Sequence, residues 1–232
     1  PTPEWNLSPT PEFIRTSQSY EKKHPDELAA TLANLLHRYL PRLNHARHHA
    51  LVQDGCLHHE GHGVIAIDQN GQGKSLRETR LYAYPDDASR TLHLLLIADK
   101  SSQKRDLRTV QAILKESNLA HLMAKLTTPL RSTRYRNAED LRKAGIISPE
   151  TALRVRAAGG RTRVITDLVC QRLSAGLSQK DVARRMDRTQ SWVSKFEDRL
   201  DAELTLGDIQ AYCQAIAGGL ALEFGRRDRT AA

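Results

Sequence analysis

The first half of the chain carries helical patterns separated by strand patterns. After Pro25, apolar residues recur at helical spacing, which predicts a helix that ends at Pro41. Residues 12–15 predict the start of a strand, and residues 106–116 predict a second helix. Alternating or continuous apolar runs predict three further strands over residues 63–68, 76–84 and 91–98. This half therefore predicts an α+β domain with helices packed on an antiparallel sheet.

From residue 123 onward the strand patterns disappear, and helical patterns continue to about residue 224. Asn137 can cap one short helix, and Ser148-Pro149-Glu150 has the cap, proline and acidic first turn that open another. We expect three parts: an α+β domain over residues 1–122, a linker with short helices over 123–161, and an all-α domain over 162–232.

Charge is distributed unevenly between the two halves. The 232 residues include 35 Lys and Arg against 27 Asp and Glu, a net charge of +8. Residues 1–122 hold 15 basic and 14 acidic side chains, whereas residues 123–232 hold 20 and 13, so almost all of the basic excess lies in the second half. This asymmetry indicates a half that binds nucleic acid joined to a half with another role.

The expected compartment is the cytoplasm. No apolar run approaches the ~18 residues that a membrane span requires, and the N-terminal residues lack the regions of a signal peptide. Cys56, Cys170 and Cys213 are far apart and form no CxxC pair. These features predict a protein of a reducing compartment that has no membrane partner.

Residues 177–197 have the pattern of two short helices joined by a tight turn. Val182 and Ala183 face inward in the first helix, and the small side chain of Ala183 suits a close helix crossing. Ser178 can cap the first helix, residues 187–189 form the predicted turn, and Thr189 can cap the second helix. The spacing leaves the polar side chains of the second helix facing outward.

These outward side chains suit a DNA duplex. Gln190 can pair with both hydrogen-bonding groups of an adenine in the major groove, whereas Lys195 and Ser194 can hold phosphates. A backbone N–H at the start of the first helix, where Gln179 lies, can hold another phosphate. The candidate DNA-binding residues are Gln179, Thr189, Gln190, Ser191, Trp192, Ser194 and Lys195.

The segment LSQKDVARRMDRTQSWVSKFE, residues 177–197, resembles the helix-turn-helix of the Cro/repressor (XRE) family, and TLGDIQAYCQAIAGG, residues 205–219, is similar to a later helix of that family. The resemblance implies a compact helical domain that inserts its second motif helix in the major groove and binds a palindromic operator as a homodimer. Trp192 departs from the family, where a smaller residue is commoner; it is either a core residue or a contact to a thymine methyl group. The alternative is a helical bundle that keeps this fold without binding DNA.

The first half resembles RelE/HigB-type toxins. TLHLLLIADKSSQKRDLRTVQAILKE, residues 91–116, is similar to their last strand and closing helix, and LRETRLYAYPD, residues 76–86, is similar to their Arg-containing strand. The resemblance implies an mRNA-cleaving domain that acts on the ribosome and is neutralised by an antitoxin, often of the XRE type. One chain with both parts would be a fused toxin–antitoxin pair.

A ribonuclease of this kind needs cations for the phosphorane charge and a group that delivers a proton to the leaving oxygen, but no metal or other cofactor. The candidates are Lys74, Arg77, Arg80, Tyr82 and Lys100, with Lys104, Arg105 and Tyr84 close to them in the sequence. The near-neutral charge of residues 1–122 is poor for gripping RNA. Ordinary solvated charge beside a sheet is therefore an equal alternative, as is a toxin fold that now serves as a sensing or dimerising module.

Six histidines lie between residues 45 and 62. His45 and His49 have the i,i+4 spacing of two metal ligands on one helix, but no matching carboxylate or cysteine signature follows them. We expect a polar loop and no metal site.

Together, these patterns predict an autoregulatory DNA-binding repressor of toxin–antitoxin type whose N-terminal domain is an inhibited or degenerate ribonuclease. The alternative is an active ribosome-dependent mRNA endoribonuclease that its own C-terminal domain holds in check.

Overall fold

The computed structural model describes residues 4–69, 76–124 and 135–217. Their strands are β1 (Asn6–Pro9), β2 (Leu57–Gly61), β3 (Val64–Gln69), β4 (Thr79–Asp86) and β5 (Thr91–Asp99). Their α-helices are α1 (Pro11–Lys23), α2 (Pro25–Ala33), α3 (Leu40–His45), α4 (Gln103–Ala124), α5 (Ala138–Lys143), α6 (Pro149–Gly159), α7 (Arg163–Ser174), α8 (Gln179–Arg185), α9 (Gln190–Glu197) and α10 (Leu206–Ala217). The described residues therefore form a mixed α/β structure whose second half is helical.

The strands form one five-stranded sheet in the order β1-β5-β4-β3-β2. The three predicted strands are confirmed as β3, β4 and β5, which pair antiparallel to one another. The expectation of a purely antiparallel sheet was wrong, because β1 pairs parallel to β5. Two strands were not predicted from the sequence: β1, which has four residues and ends in proline, and β2, which contains two consecutive polar histidines.

Helices cover both faces of the sheet, and successive side chains of β4 are buried on opposite faces. Leu81 and Ala83 lie in one hydrophobic cluster with Leu28 of α2. Tyr82, which points to the opposite face, lies in a second cluster with Val110 of α4. Burying both faces explains why nearly all of β4 is inaccessible to solvent.

The strand expected at residues 12–15 was wrong, because these residues belong to α1. The side-chain oxygen of Thr10 accepts a hydrogen bond from the Phe13 N–H at 3.1 Å, and Pro11 occupies the first helical position. Both are helix-start signals, since the proline has no N–H to lose there and its φ already suits the helix. Phe13 itself is fully buried.

Pro41 does not end the helical pattern. A π-helical segment over Asn34–Tyr39 joins α2 to α3, and the N–H of Leu40 donates to the carbonyl of Leu35. A new α-helix, α3, begins after the π-helical segment, and Pro41 lies in its first turn. A residue without an N–H is tolerated at this position. The helix then continues to His45.

The short helices expected between residues 123 and 161 are present as α5 and α6, but they do not form an exposed spacer. Leu141 of α5 and Val155 of α6 are fully buried in the same cluster as the N-terminal helices. Helix α7 has two buried faces, with Val169 in that cluster and Ile165 in a separate cluster of the C-terminal helices. The domain boundaries at residues 122 and 162 stay a prediction, although the N-terminal core extends through α7.

Candidate nucleic-acid interface

The helix-turn-helix pattern corresponds to α8 and α9, and both predicted caps are present. The Ser178 hydroxyl accepts a hydrogen bond from the N–H of Asp181, whose carboxylate accepts one from the N–H of Ser178 in return. At the start of α9, Thr189 Oγ1 accepts a hydrogen bond from the N–H of Trp192 at 3.2 Å. Asp187 in the intervening turn has a φ of 52°, a left-handed conformation that aspartate adopts more readily than most residues.

The outer surface of α9 is formed by the residues that the sequence placed there. Gln190, Ser191 and Lys195 are exposed, and Ser194 is half-buried. Val193 and Phe196 are fully buried on the opposite side of the helix. A duplex that approached α9 would therefore meet polar side chains, and the helix would stay anchored by its apolar ones.

Gln179 is the exception among the candidate DNA-binding residues, because its side chain is buried at 4% exposure. Its Oε1 accepts a hydrogen bond from Gln190 Nε2 at 3.2 Å, and its Nε2 donates to Glu197 Oε2 at 3.0 Å. Gln179 therefore connects an exposed side chain of α9 to the interior. Its side chain orients Gln190, a role that the sequence analysis did not assign to it.

Glu197 forms the buried end of this network. Its two carboxylate oxygens accept hydrogen bonds from Arg172 Nε at 2.7 Å and Arg172 Nη2 at 2.8 Å, and Tyr212 Oη donates to it at 2.7 Å. Burial lowers the pKa of Arg172, but the Glu197 charge outweighs this effect and leaves the pKa above its ordinary value. A fixed ion pair thus holds Gln179, which in turn holds Gln190.

The Arg172–Glu197 pair was missed in the sequence analysis. Arg172 lies beside Leu173 and one turn after Leu168, on a face of α7 that is otherwise apolar. A charged residue within an apolar helical stripe signals a buried partner, but it does not identify that partner, because Glu197 is 25 residues away.

Trp192 packs within the domain. Its ring stacks on Phe196 with centroids 5.5 Å apart and planes 4° from parallel. The guanidinium carbons of Arg188 and Arg199 lie 5.6 and 5.9 Å from the ring centroid. Of the two roles that the sequence left open, these contacts favour a packing residue that also positions two cations beside α9.

Exposed basic side chains lie on α8, on α9 and in the turn between them. Lys180 and Arg184 project from α8, Arg188 from the turn and Lys195 from α9. Within the described part of the chain, no carboxylate lies within 4.0 Å of a side-chain nitrogen of Lys180, Arg188 or Lys195. Their charges are therefore available to an anionic partner.

The C-terminal end of α9 is attached to the N-terminal core. Arg42 Nη2 of α3 donates to the Glu197 carbonyl at 3.0 Å, and Arg38 Nη2 lies 3.3 Å from Asp198 Oδ1. Asp54, whose carboxylate is completely buried, accepts hydrogen bonds from both arginines. We call Arg38, Arg42, Asp54 and Asp198 the junction cluster. It joins the C-terminal end of α9 to α3 and to the π-helical segment of the N-terminal half.

Among the ribonuclease candidates that the structure describes, Arg80 and Tyr82 do not form an open cationic site. Arg80 is 7% exposed, and its guanidinium pairs with Glu60 at 2.7 Å and Asp68 at 3.1 Å. Tyr82 is fully buried, and burial raises its pKa to about 12. Two carboxylates thus neutralise the arginine, and the phenol is hidden from substrate.

The other described candidates make contacts of their own. Lys100 is partly exposed and pairs with Glu78 at 2.8 Å, and Arg77 precedes β4 with its N–H donating to Glu27. Arg105 is exposed and Tyr84 is half-buried. Lys74 and the side chain of Lys104 lie outside what the structure describes.

No family model matches this chain, and comparisons with curated proteins and with solved structures also found no match. Among the described residues, no helix has both the length and the apolar character needed to cross a membrane.

Proposed function

We propose that this protein is a sequence-specific DNA-binding repressor that acts in the cytoplasm, inserts α9 in the major groove and binds its operator as a homodimer. The observation that carries this proposal is the state of Gln190. Its side chain is exposed at the start of α9, yet Gln179 and the buried Arg172–Glu197 pair fix its amide. A pre-oriented amide binds a base edge without the entropy cost of first being ordered.

The charges around Gln190 support the same proposal. Lys195 is exposed on α9, and Lys180 and Arg188 are exposed on the preceding helix and turn. Contacts from such side chains to phosphates supply affinity that does not depend on sequence, whereas the amide supplies discrimination between bases. The proposed interface therefore contains both components of operator binding.

We propose that the N-terminal half is a RelE/HigB-like domain that is inhibited or degenerate, which makes the chain a fused toxin–antitoxin protein. The strand, turn and helix that this resemblance implies are present as β4, β5, the 3-10 turn at Lys100–Ser102 and α4. The neutralised Arg80 and the buried Tyr82 favour an inactive domain over the alternative of an active endoribonuclease.

Selection of bound sites from random duplexes by the whole chain, followed by binding assays on the selected site and on random DNA, tests the proposal. We expect Gln190→Ala to weaken binding to the selected site by about 1–3 kcal/mol and to relax the preference at one base pair. Gln214→Ala, which removes an exposed glutamine of α10, is the matched control. An equal loss on selected and random DNA for Gln190→Ala would contradict base reading.

Lys195→Ala tests the phosphate component in the same assay. We expect it to weaken binding similarly on all sequences and to reduce the slope of log affinity against log salt by about 1. Lys143→Ala, which removes an exposed lysine of α5, is its control. Failure of the wild-type chain to bind any duplex at low ionic strength would overturn the proposed function.

A further inference from the structure

Two neighbouring histidines and an aspartate from a distant turn converge on one point of the N-terminal surface. His48 and His49 lie after α3, and Asp87 lies in the turn between β4 and β5. His48 Nε2 is 3.0 Å and His49 Nδ1 is 2.5 Å from the same oxygen of Asp87, Oδ2. All three ligand atoms lie within 4.8 Å of one another.

From this convergence we propose that His48, His49 and Asp87 form a binding site for a divalent transition-metal ion of the zinc type. Two imidazole nitrogens and one carboxylate oxygen are a donor set that suits Zn²⁺, with water completing a tetrahedral shell. This inference does not depend on DNA binding, and it replaces the expectation of a polar loop without metal.

The separations between the donor atoms are close to those that an ion requires. Tetrahedral bonds of about 2.0–2.1 Å place ligand atoms about 3.4 Å apart. The two nitrogens are 3.0 and 2.5 Å from Asp87 Oδ2, so each must move outward by less than about 1 Å. His48 is half exposed and belongs to a loop, so a side-chain rotation can supply this movement.

One carboxylate oxygen stays fixed while the other is available. Asp87 Oδ1 accepts a hydrogen bond from the backbone N–H of His49 at 3.1 Å, which orients Oδ2 towards the rings. The imidazole centroids are 4.5 Å apart, so both rings already face the same space. This arrangement reduces the ordering that metal binding would otherwise require.

Proton positions also define the ion-bound state. His48 Nδ1 accepts a hydrogen bond from the exposed Ala50 N–H at 3.1 Å, so the ring proton lies on Nε2 while no ion is bound. Coordination through Nε2 moves that proton to Nδ1, and the Ala50 amide then binds water. Coordination of His49 through Nδ1 likewise leaves its proton on Nε2.

Sequence spacing pointed to a different pair of ligands. His45 and His49 were the i,i+4 candidates, but His45 is the last residue of α3 and its Nδ1 lies 2.7 Å from Ser174 Oγ. His49 follows after the helix has ended. Asp87, the missing carboxylate, is 38 residues from His49 and becomes a neighbour only through the pairing of the sheet.

The test is titration of the full-length chain, free of any affinity tag, with ZnCl₂ in competition with a chromophoric chelator. We expect the wild type to bind one equivalent, and Asp87→Asn and His49→Ala each to weaken binding at least tenfold. His59→Ala, which removes an exposed histidine of β2, is the control and should change the affinity less than twofold. Circular dichroism reports whether each variant is folded. If Asp87→Asn does not fold, the affinity of His49→Ala decides the result.

Cobalt(II) supplies a second readout, because a four- or five-coordinate protein site gives a visible absorption band far stronger than that of the hydrated ion. We expect the band in the wild type and in His59→Ala, and its loss in Asp87→Asn and His49→Ala. The proposal is overturned if the wild type takes up no stoichiometric zinc, or if His59→Ala weakens binding as much as the ligand variants do.

Discussion

Asp54 supplies the counter-charge for two arginines of the junction cluster. Its carboxylate and the Arg42 side chain are fully buried, and the Arg38 side chain is 10% exposed. Asp54→Asn preserves the shape of the side chain but leaves a buried guanidinium without its full counter-charge. Removing one partner of such a pair typically costs about 3–5 kcal/mol, compared with a total of about 5–15 kcal/mol for a folded domain. We expect the free energy of unfolding to fall by about 3 kcal/mol or more.

Urea unfolding of the full-length chain, followed by circular dichroism, measures this loss. Asp208→Asn is the matched control, because Asp208 pairs with Arg199 at 3.0 Å while both side chains are about one-third exposed. A pair this exposed should contribute at most about 1 kcal/mol. Equal losses for Asp54→Asn and Asp208→Asn would refute the assignment of the junction cluster as a buried electrostatic support.

The pH dependence of stability provides a further check of Asp54. Burial raises the pKa of Asp54, but the charges of Arg42 and Arg38 outweigh burial and hold it below its ordinary value. Its stabilisation is therefore complete above the unfolded-state pKa of about 3.9 and is lost as the pH falls through the lower folded-state pKa. Asp54→Asn should make the wild-type loss of stability in acid shallower. An acid limb as steep as that of the wild type would contradict this.

Two other substitutions test packing and the buried network. A Cβ at Gly159 would overlap the His37 ring, so Gly159→Ala should lower the free energy of unfolding by about 1–3 kcal/mol, and an unchanged urea midpoint would contradict this close approach. Glu197→Gln leaves the Arg172 guanidinium buried without a counter-charge, so we expect a loss of about 3 kcal/mol or more in the same assay. It should also weaken discrimination at the base pair that Gln190 is proposed to read, whereas a variant that discriminates like the wild type would argue against a positioning role for the network.

Local patterns predicted those elements whose residues act on near neighbours. The alternation along β4, the Ser178 and Thr189 caps and the outward positions of Gln190 and Lys195 are all confirmed, because each depends on residues within a few positions. The helix end predicted at Pro41 was wrong, because a π-helical segment places Pro41 in the first turn of α3. The local sequence carries no signal for that segment.

Contacts between distant residues could not be predicted in the same way. The carbonyl of Glu197 accepts from Arg42, 155 residues away, and Asp87 approaches His49 across 38 residues. Residue type indicated only the kind of partner, because a buried arginine requires an acceptor, but many acidic residues of the chain could have been that acceptor. The positions of such partners follow from the packing of helices and strands, which the one-dimensional pattern does not contain.

Helix α7 has a consequence for how the molecule can be divided. One of its faces, with Val169 and Leu173, completes the N-terminal core, while Ile165 and Leu168 complete the core behind α9. A fragment that stops at residue 122 would lack Val169 and would bare the apolar surface that α5 to α7 normally cover. Growth arrest, or its absence, on expressing such a fragment would then reflect aggregation and degradation as much as chemistry. Toxicity is therefore best measured in the intact polypeptide, with single substitutions that loosen one half from the other.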